Sequence, residues 1–104
     1  MSLIENLENM LSSGNDSTML RFGLGSAYFN EKSFEKAIPH LQRCIELDNS
    51  YSAAYKLLGR AQIQMNLMDQ AKITLEEGLL QATLKGDKQT EREITTFLKK
   101  LEKN

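Results

Sequence analysis

The side chains best suited to chemistry in this 104-residue sequence are its one histidine and its one cysteine, His40 and Cys44. Four positions separate them, so both lie on the same face of any helix that contains them. Such a pair could supply two ligands to a metal ion, but a structural zinc site needs four and a catalytic site usually three. We therefore expect no metal site and interpret Cys44 as a small, packed residue.

The other requirements of catalysis are also missing. A nucleophilic mechanism needs a nucleophile, a base and a group that orients the base, and the only imidazole shares its helix face with a thiol that we expect to be buried. The adjacent carboxylates Glu76 and Glu77 belong to a polar stretch that indicates a solvated helix face. Gly23 and Gly25 lie within a predicted helix and form no phosphate-binding loop. We predict a protein that is not an enzyme and needs no cofactor.

Composition excludes several further classes of protein. About 40% of the residues are apolar and 26% are charged, with 14 acidic side chains against 13 basic ones and a net charge of −1. This balance argues against a disordered chain and against a nucleic-acid binder, which carries a basic excess. No apolar run approaches the roughly 18 residues of a membrane span, and the N-terminus lacks the features of a secretory signal. Because one cysteine cannot form an internal disulfide, we predict a soluble, single-domain cytoplasmic protein with no membrane partner.

The elements that must position any binding residues are helices. Valine is absent, while leucine, alanine, lysine and glutamate are plentiful, which favours helix over strand. Capping and turn residues divide the chain into six predicted helices. These helices begin at Ser2, at Asp16 or Ser17, at Ser33, at Asn49–Ser50, near Met68 and at Asp87; stops are expected at Gly14 and Gly86, and a left-handed turn at Asn66.

An internal repeat becomes visible when the sequence is shifted by 34 residues. The shift aligns small and apolar residues at helical spacing, which is typical of stacked helical repeats. The aligned pairs are Leu24 with Leu58, Gly25 with Gly59, Ala27 with Ala61, Ala37 with Ala71 and Leu41 with Leu75. Small residues allow two helices to cross closely, so we expect Gly25 and Gly59 to mark close helix contacts.

The two segments resemble tetratricopeptide repeats, whose pattern is aromatic-x2-Leu-Gly-x2-Tyr, then Ala-x3-aromatic, then Pro. The first segment reads Arg21-x2-Leu24-Gly25-x2-Tyr28 and then Ala37-x3-Leu41; the second reads Tyr55-x2-Leu58-Gly59-x2-Gln62 and then Ala71-x3-Leu75. Asn49 and Thr83 stand where the closing proline would be.

The resemblance implies an all-α, right-handed superhelix of about six antiparallel helices. It also implies a division of the single domain, 1–104, into four parts. These are an N-terminal half-repeat helix at 2–13, a first repeat at 18–51, a second repeat at 52–85 and a C-terminal capping helix at 87–103. The outer helices would supply the burial that two repeats alone lack.

The resemblance further implies a concave groove lined by the first helix of each repeat. The candidate groove residues are Met19, Phe22, Ser26, Phe29 and Asn30 from the first repeat, and Ala53, Lys56, Arg60, Ile63 and Gln64 from the second. Such a groove is apolar at one end and basic at the other. It would suit a protein or peptide ligand with an apolar anchor and an acidic or C-terminal carboxylate group, held by Arg60 and Lys56.

Two alternatives stay open for these residues. The phenylalanines Phe22 and Phe29 could simply pack on a neighbouring helix, and Lys56 and Arg60 could pair with acidic residues such as Asp48 or Glu91. The basic clamp that some relatives use for chaperone tails is not reproduced, because Phe22, Ser26 and Leu57 occupy its lysine and asparagine positions. Self-assembly into a homo-oligomer is the second hypothesis for function.

Overall fold

The computed structural model describes residues 2–103, and every regular element in that range is an α-helix. The prediction of an all-α fold with six helices is therefore confirmed for this part of the chain. Short turns join the helices in sequence. The six helices are α1 (Leu3–Ser12), α2 (Thr18–Asn30), α3 (Phe34–Leu47), α4 (Ser52–Gln64), α5 (Met68–Lys85) and α6 (Lys88–Glu102).

Several helix ends lie where the polar and glycine residues predicted them. Ser2 caps α1, because its hydroxyl accepts a hydrogen bond from the backbone N–H of Glu5 at 3.1 Å, and the same hydroxyl donates to the Glu5 carboxylate at 3.2 Å. Ser17 and Asp87 cap α2 and α6 in the same way, by accepting from backbone N–H groups of the first turn. Gly86 ends α5 with a left-handed φ of 74°.

The predicted start of α4 at Asn49–Ser50 is wrong, because the helix begins at Ser52 after Tyr51. The Asp48 carboxylate accepts hydrogen bonds from both the backbone N–H of Ser50 at 3.0 Å and its hydroxyl at 2.7 Å. The hydroxyl of Ser50 is thus engaged in a local turn and cannot cap the following helix.

The 34-residue repeat of the sequence is also a repeat of the backbone. Shifting the bounds of α2 by that number of residues gives the bounds of α4. The turn after each of these helices contains one residue with positive φ, Lys32 at 63° and Asn66 at 62°. Each of these two residues donates its backbone N–H three positions back, over 2.9 Å. The two hairpins, α2–α3 and α4–α5, therefore share one local geometry.

The hairpins cross closely at the two glycines that the repeat predicts. A methyl carbon placed on Gly25 would lie 2.5 Å from Cδ2 of Leu41, and one placed on Gly59 would meet Leu75 in the same way. Such distances are well inside van der Waals contact. The absence of a side chain at both positions is therefore what allows each pair of helices to approach.

The stack is curved because its two faces are spaced differently. Some Cα atoms of α2 lie within 8 Å of α4, and some of α4 lie within 8 Å of α6. By contrast, no described Cα of α1 comes that close to α3, nor of α3 to α5. The first helices of the hairpins, together with α6, thus form the inner face, and α1, α3 and α5 form an outer face with crevices between them.

The buried core lies between these two faces of a molecule that is 42 Å long. Leu24 and Leu41 fill it in the first hairpin, Leu75 in the second, and Ile94 brings α6 onto the stack. All four side chains are inaccessible to solvent, as is Cys44. The core thereby fixes α2, α4 and α6 side by side.

Candidate ligand-binding groove

The inner face carries the predicted groove residues on α2 and α4, and α6 adds a third wall. Of the candidates, Met19, Asn30 and Gln64 are exposed, while Phe22, Ser26, Phe29, Ala53, Lys56, Arg60 and Ile63 are half-buried. Met19, which is 79% exposed, lies ten residues and therefore about 15 Å along α2 from Phe29. It is not part of the cluster that forms around Phe29.

Both phenylalanines pack against neighbours from adjoining elements. The Phe22 ring lies 4.9 Å from the Tyr51 ring, centroid to centroid. The Phe29 ring meets the Phe34 ring edge-on at 5.1 Å. The sequence left open whether these rings pack on neighbours. They do, and each side chain remains only half-buried.

Lys56 is paired within the protein. Its Nζ donates to Glu93 Oε1 on α6 at 3.0 Å, and only 18% of its side chain is exposed. The predicted partners, Asp48 and Glu91, are wrong. The sequence analysis treated α6 only as a capping helix and therefore did not place its carboxylate Glu93 on the inner face. The charge of Lys56 is thus already neutralised, and the pair ties α6 to α4.

Arg60 is held differently, between two aromatic rings. Its guanidinium carbon lies 4.9 Å from the centroid of Phe29 on α2 and 5.2 Å from that of Phe97 on α6. Contacts of this kind stabilise a cation on an aromatic face. No carboxylate among residues 2–103 comes within 4.0 Å of Arg60. The guanidinium is therefore positioned on three helices at once but has no anionic partner there.

Arg60 and Gln64 also separate two hollows of the groove. One, of about 240 Å³, is lined by Arg60, Ile63, Gln64, Met68, Phe97, Lys100 and Leu101. The other, of about 400 Å³, is lined by Phe29, Asn30, Lys32, Phe34, Arg60 and Gln64. Each hollow combines apolar walls with a second cation, Lys100 or Lys32. The site can therefore accommodate an apolar group beside an anion.

The structure adds Phe97, Lys100 and Leu101 to the groove, which the sequence did not predict. The apolar positions of residues 87–103 were recognised, but they were assigned to covering the last repeat. The signal that could have found them is the pairing of Phe97 with Lys100 one helical turn later, which places an aromatic ring and a cation on neighbouring positions of α6.

The two residues first considered for chemistry lie outside this groove. Cys44 is fully buried, and burial raises the pKa of its thiol to about 11. His40 lies on the side of α3 that faces α1 and α2, where its Nδ1 accepts a hydrogen bond from Arg21 at 3.0 Å. The described residues contain no group of three or more metal-ligating side chains. In the same range, no helix is both long and apolar enough to pass through a membrane.

Comparison with known proteins supports this architecture. The family profile described as tetratricopeptide repeat matches residues 28–84, more than half of the chain. A TPR repeat-containing protein from Pseudomonas aeruginosa is 48% identical over 101 residues, which cover 97% of this chain and 96% of that protein. The chain belongs to the tetratricopeptide repeat (TPR) family.

Solved TPR-like structures share its fold closely. The solution structure of a Bordetella parapertussis protein has 36% sequence identity and a TM-score of 0.86. The alignment covers 99% of this chain and 90% of that protein. The first TPR domain of Spaghetti (RPAP3), bound to the HSP90 peptide SRMEEVD, is 24% identical, with a TM-score of 0.83 and coverage of 96% and 75%. The all-α TPR solenoid is thus the fold of this chain.

Proposed function

We propose that this TPR domain is a protein-interaction module that binds a peptide or protein segment in its inner groove. The ligand carries an apolar anchor and an acidic or C-terminal carboxylate, and Arg60 binds the carboxylate. The observation that carries this proposal is the guanidinium of Arg60, which is stacked between Phe29 and Phe97 without an anionic partner among residues 2–103.

The stacking prepares Arg60 for this task. A guanidinium presents its N–H donors in a planar fork that matches both oxygens of a carboxylate. Because the rings of Phe29 and Phe97 already restrict the side chain, less conformational freedom is lost when a ligand binds. The solved TPR domain of similar fold that holds the peptide SRMEEVD, with its three acidic residues, supports a ligand of this class.

The neighbouring hollow of about 240 Å³ would hold the apolar anchor. Ile63, Met68, Phe97 and Leu101 supply apolar walls, and Lys100 adds a second positive charge at its edge. An apolar side chain that enters this hollow would lie directly beside a carboxylate on Arg60. We no longer assign Lys56 to the ligand, because Glu93 occupies it.

We further propose a non-catalytic role and a cytoplasmic location. The imidazole of His40 is engaged by Arg21 and stacks on Tyr28, so it is not a free base. The thiol of Cys44 is fully buried and is the only one in the chain. A protein that cannot form an internal disulfide suits a reducing compartment.

The test is binding of a library of labelled seven-residue acidic peptides, each with one apolar position and each made with a free and an amidated C-terminus. For the peptides that bind, Arg60→Gln is expected to weaken affinity by about tenfold or more, since a hydrogen bond to a charged group contributes about 1.5–3 kcal/mol. Arg60→Lys should be intermediate, because it keeps the charge and loses the planar fork.

The matched control is Arg92→Gln, which removes the same charge from an exposed position on α6. It should leave affinity unchanged within about twofold, a difference of roughly 0.4 kcal/mol. Thermal unfolding of each variant checks that the fold is intact. Equal affinity of the wild type and Arg60→Gln for every peptide would refute the carboxylate site.

Self-assembly is the second candidate function, and the outer face of α5 favours it. Ile73, Leu80 and Leu84 are 69%, 50% and 71% exposed, and their spacing places them along one side of the helix. Sedimentation from micromolar to millimolar concentration tests this candidate. A species that stays monomeric throughout removes it, whereas association that Leu84→Glu abolishes supports it.

A further inference from the structure

The outer face of the stack contains two crevices that are equivalent under the 34-residue repeat. The first lies between α1 and α3 above α2, and the second lies between α3 and α5 above α4. Shifting residues 3–12 and 18–30 by one repeat places them on α3 and α4, within the bounds of those helices. What fills one crevice can therefore be compared position by position with the other.

The protein fills the first crevice with its own side chains, the guanidinium of Arg21 among them. Arg21 donates to Nδ1 of His40 at 3.0 Å and forms an ion pair with Asp16 at 2.7 Å. The ring of His40 lies flat against that of Tyr28, at 5.6 Å between centroids, and its other nitrogen is 3.9 Å from a Glu8 oxygen. The guanidinium of Arg21 thus lies between the imidazole nitrogen of His40 and the carboxylate of Asp16.

The second crevice has no cation at the equivalent positions. One repeat further along the chain, Tyr55 replaces Arg21, Thr74 replaces His40, and Glu77 replaces the cation Arg43. The hydroxyl of Tyr55 is already engaged, since it donates to the carbonyl of Asn49 at 2.9 Å. An open cavity of about 500 Å³ is left, with α3 on one side, α5 on the other and α4 beneath.

The walls of this cavity combine apolar surface with negative charge. Ile45, Leu58 and Ile73 supply the apolar part, Glu46 and Glu77 supply the carboxylates, and no lysine or arginine lines it. Oε1 of Glu46 accepts from Arg43 at 3.2 Å, and Oε1 of Glu77 accepts from Gln81 at 3.2 Å. Oε2 of each carboxylate has no partner among residues 2–103. The crevice therefore has carboxylate acceptors to spare but no lysine or arginine to pair with them.

We propose that this crevice, the outer cavity between α3 and α5, binds an arginine side chain of a partner protein. The aliphatic stem packs on Ile45, Leu58 and Ile73, and the guanidinium lies between the carboxylates of Glu46 and Glu77. Two observations carry the assignment to arginine. The charge of the cavity is complementary to a cation, and the equivalent crevice one repeat earlier contains the guanidinium of Arg21. This site is on the opposite face from Arg60 and selects the opposite charge.

The test uses n-butylguanidinium as a probe of the whole protein, followed by methyl NMR signals. We expect saturable shifts of the methyl groups of Ile45, Leu58 and Ile73. The double variant Glu46→Gln with Glu77→Gln should lower the affinity for n-butylguanidinium by about tenfold, and each single variant should lower it by about threefold. Glu76→Gln is the matched control, because it removes the same charge from the position next to Glu77 but does not line the cavity.

Other probes separate the parts of the proposal. Neutral n-butylurea should not saturate these signals, and n-butylammonium should bind more weakly than n-butylguanidinium because it lacks the planar fork. Equal binding of n-butylammonium would overturn the assignment to arginine. The absence of saturable shifts, or an equal loss of affinity in Glu76→Gln, would overturn the site. Arg60→Gln should have no effect, so this result is independent of the groove on the inner face.

Discussion

Lys32 and Asn66 occupy equivalent turn positions that both require positive φ, but only asparagine is suited to that conformation. Both have left-handed backbone, with φ of 63° and 62°. In this region a Cβ crowds the backbone at a cost of about 1–2 kcal/mol, and the short polar side chain of asparagine can offset that cost by a local hydrogen bond, whereas lysine cannot. The first hairpin therefore has a strained turn that the second avoids.

Replacing Lys32 by glycine should raise the free energy of unfolding by about 0.5–1 kcal/mol, since glycine adopts positive φ without that cost. The control is Glu31→Gly, one residue earlier, where φ is −85° and glycine should destabilise. Urea unfolding of both variants checks the prediction. Destabilisation of similar size in the two would contradict it.

His40 should make stability depend on pH. Its pKa lies below the ordinary value of 6.5, mainly because burial disfavours the charged ring; Arg21 lowers it further, while Glu8 and Asp16 oppose the shift. The unfolded chain then binds a proton more readily than the folded one, so stability falls as pH drops below about 6.5. Thermal melts between neutral pH and pH 5.5 should show this decline. In His40→Gln, which keeps an acceptor for Arg21, stability should fall less steeply with pH. If stability fell equally steeply in the wild type and in this variant, His40 would be excluded as the source.

At the scale of a helix, Gly25 and Gly23 occupy the same element with opposite consequences. A Cβ on Gly25 would lie 2.5 Å from Leu41, whereas one on Gly23 would lie at an ordinary 3.7 Å from Leu7. Alanine gains about 1 kcal/mol of helix propensity over glycine at either position. The two positions differ in the space available to a Cβ, because Leu41 is too close to Gly25 and Leu7 leaves room at Gly23.

Gly25→Ala should therefore destabilise the protein by about 1–3 kcal/mol through overpacking. Gly23→Ala should stabilise it by about 0.5–1 kcal/mol. Chemical denaturation of the two variants measures both changes. The packing at the crossing would be misassigned if Gly25→Ala proved as stable as Gly23→Ala.

The helices and their crossings could be predicted from the sequence because they depend on local patterns. Capping residues such as Ser2 and Asp87 act within one turn, and Gly25 is matched by Gly59 at a fixed interval. The ion pair of Lys56 with Glu93 could not be predicted, since it joins residues 37 positions apart across an inter-helix distance that no local pattern encodes. The contact of Arg60 with Phe97 has the same origin, and so the composition of the groove was only half predicted.

At the scale of the whole molecule, stability should be lowest at the N-terminal end. No residue of α1 is buried, and the Cα atoms of α1 come within 8 Å of α2 alone among the other helices, whereas those of α4 come that close to four helices. In such repeats the end units open first. Amide exchange should therefore be faster in α1 than in α4.

The hydroxyl of Tyr28, which donates to Glu8 on α1 at 3.0 Å, is one of the few polar ties holding that end. Tyr28→Phe should reduce the protection of α1 amides by about 0.5–1.5 kcal/mol, measured by hydrogen exchange. Amides of α4 should lose less. Equal protection of α1 and α4 in the wild type would show that the stack opens as a unit.

The burial of Cys44 gives the protein a built-in reporter. A thiol with no exposed surface and a pKa of about 11 is almost entirely protonated and shielded at neutral pH. Alkylating reagents can reach it only when α3 separates from its neighbours. Because the chain has a single cysteine, the rate at which one covalent tag appears in a mass spectrum measures how often the centre of the stack opens.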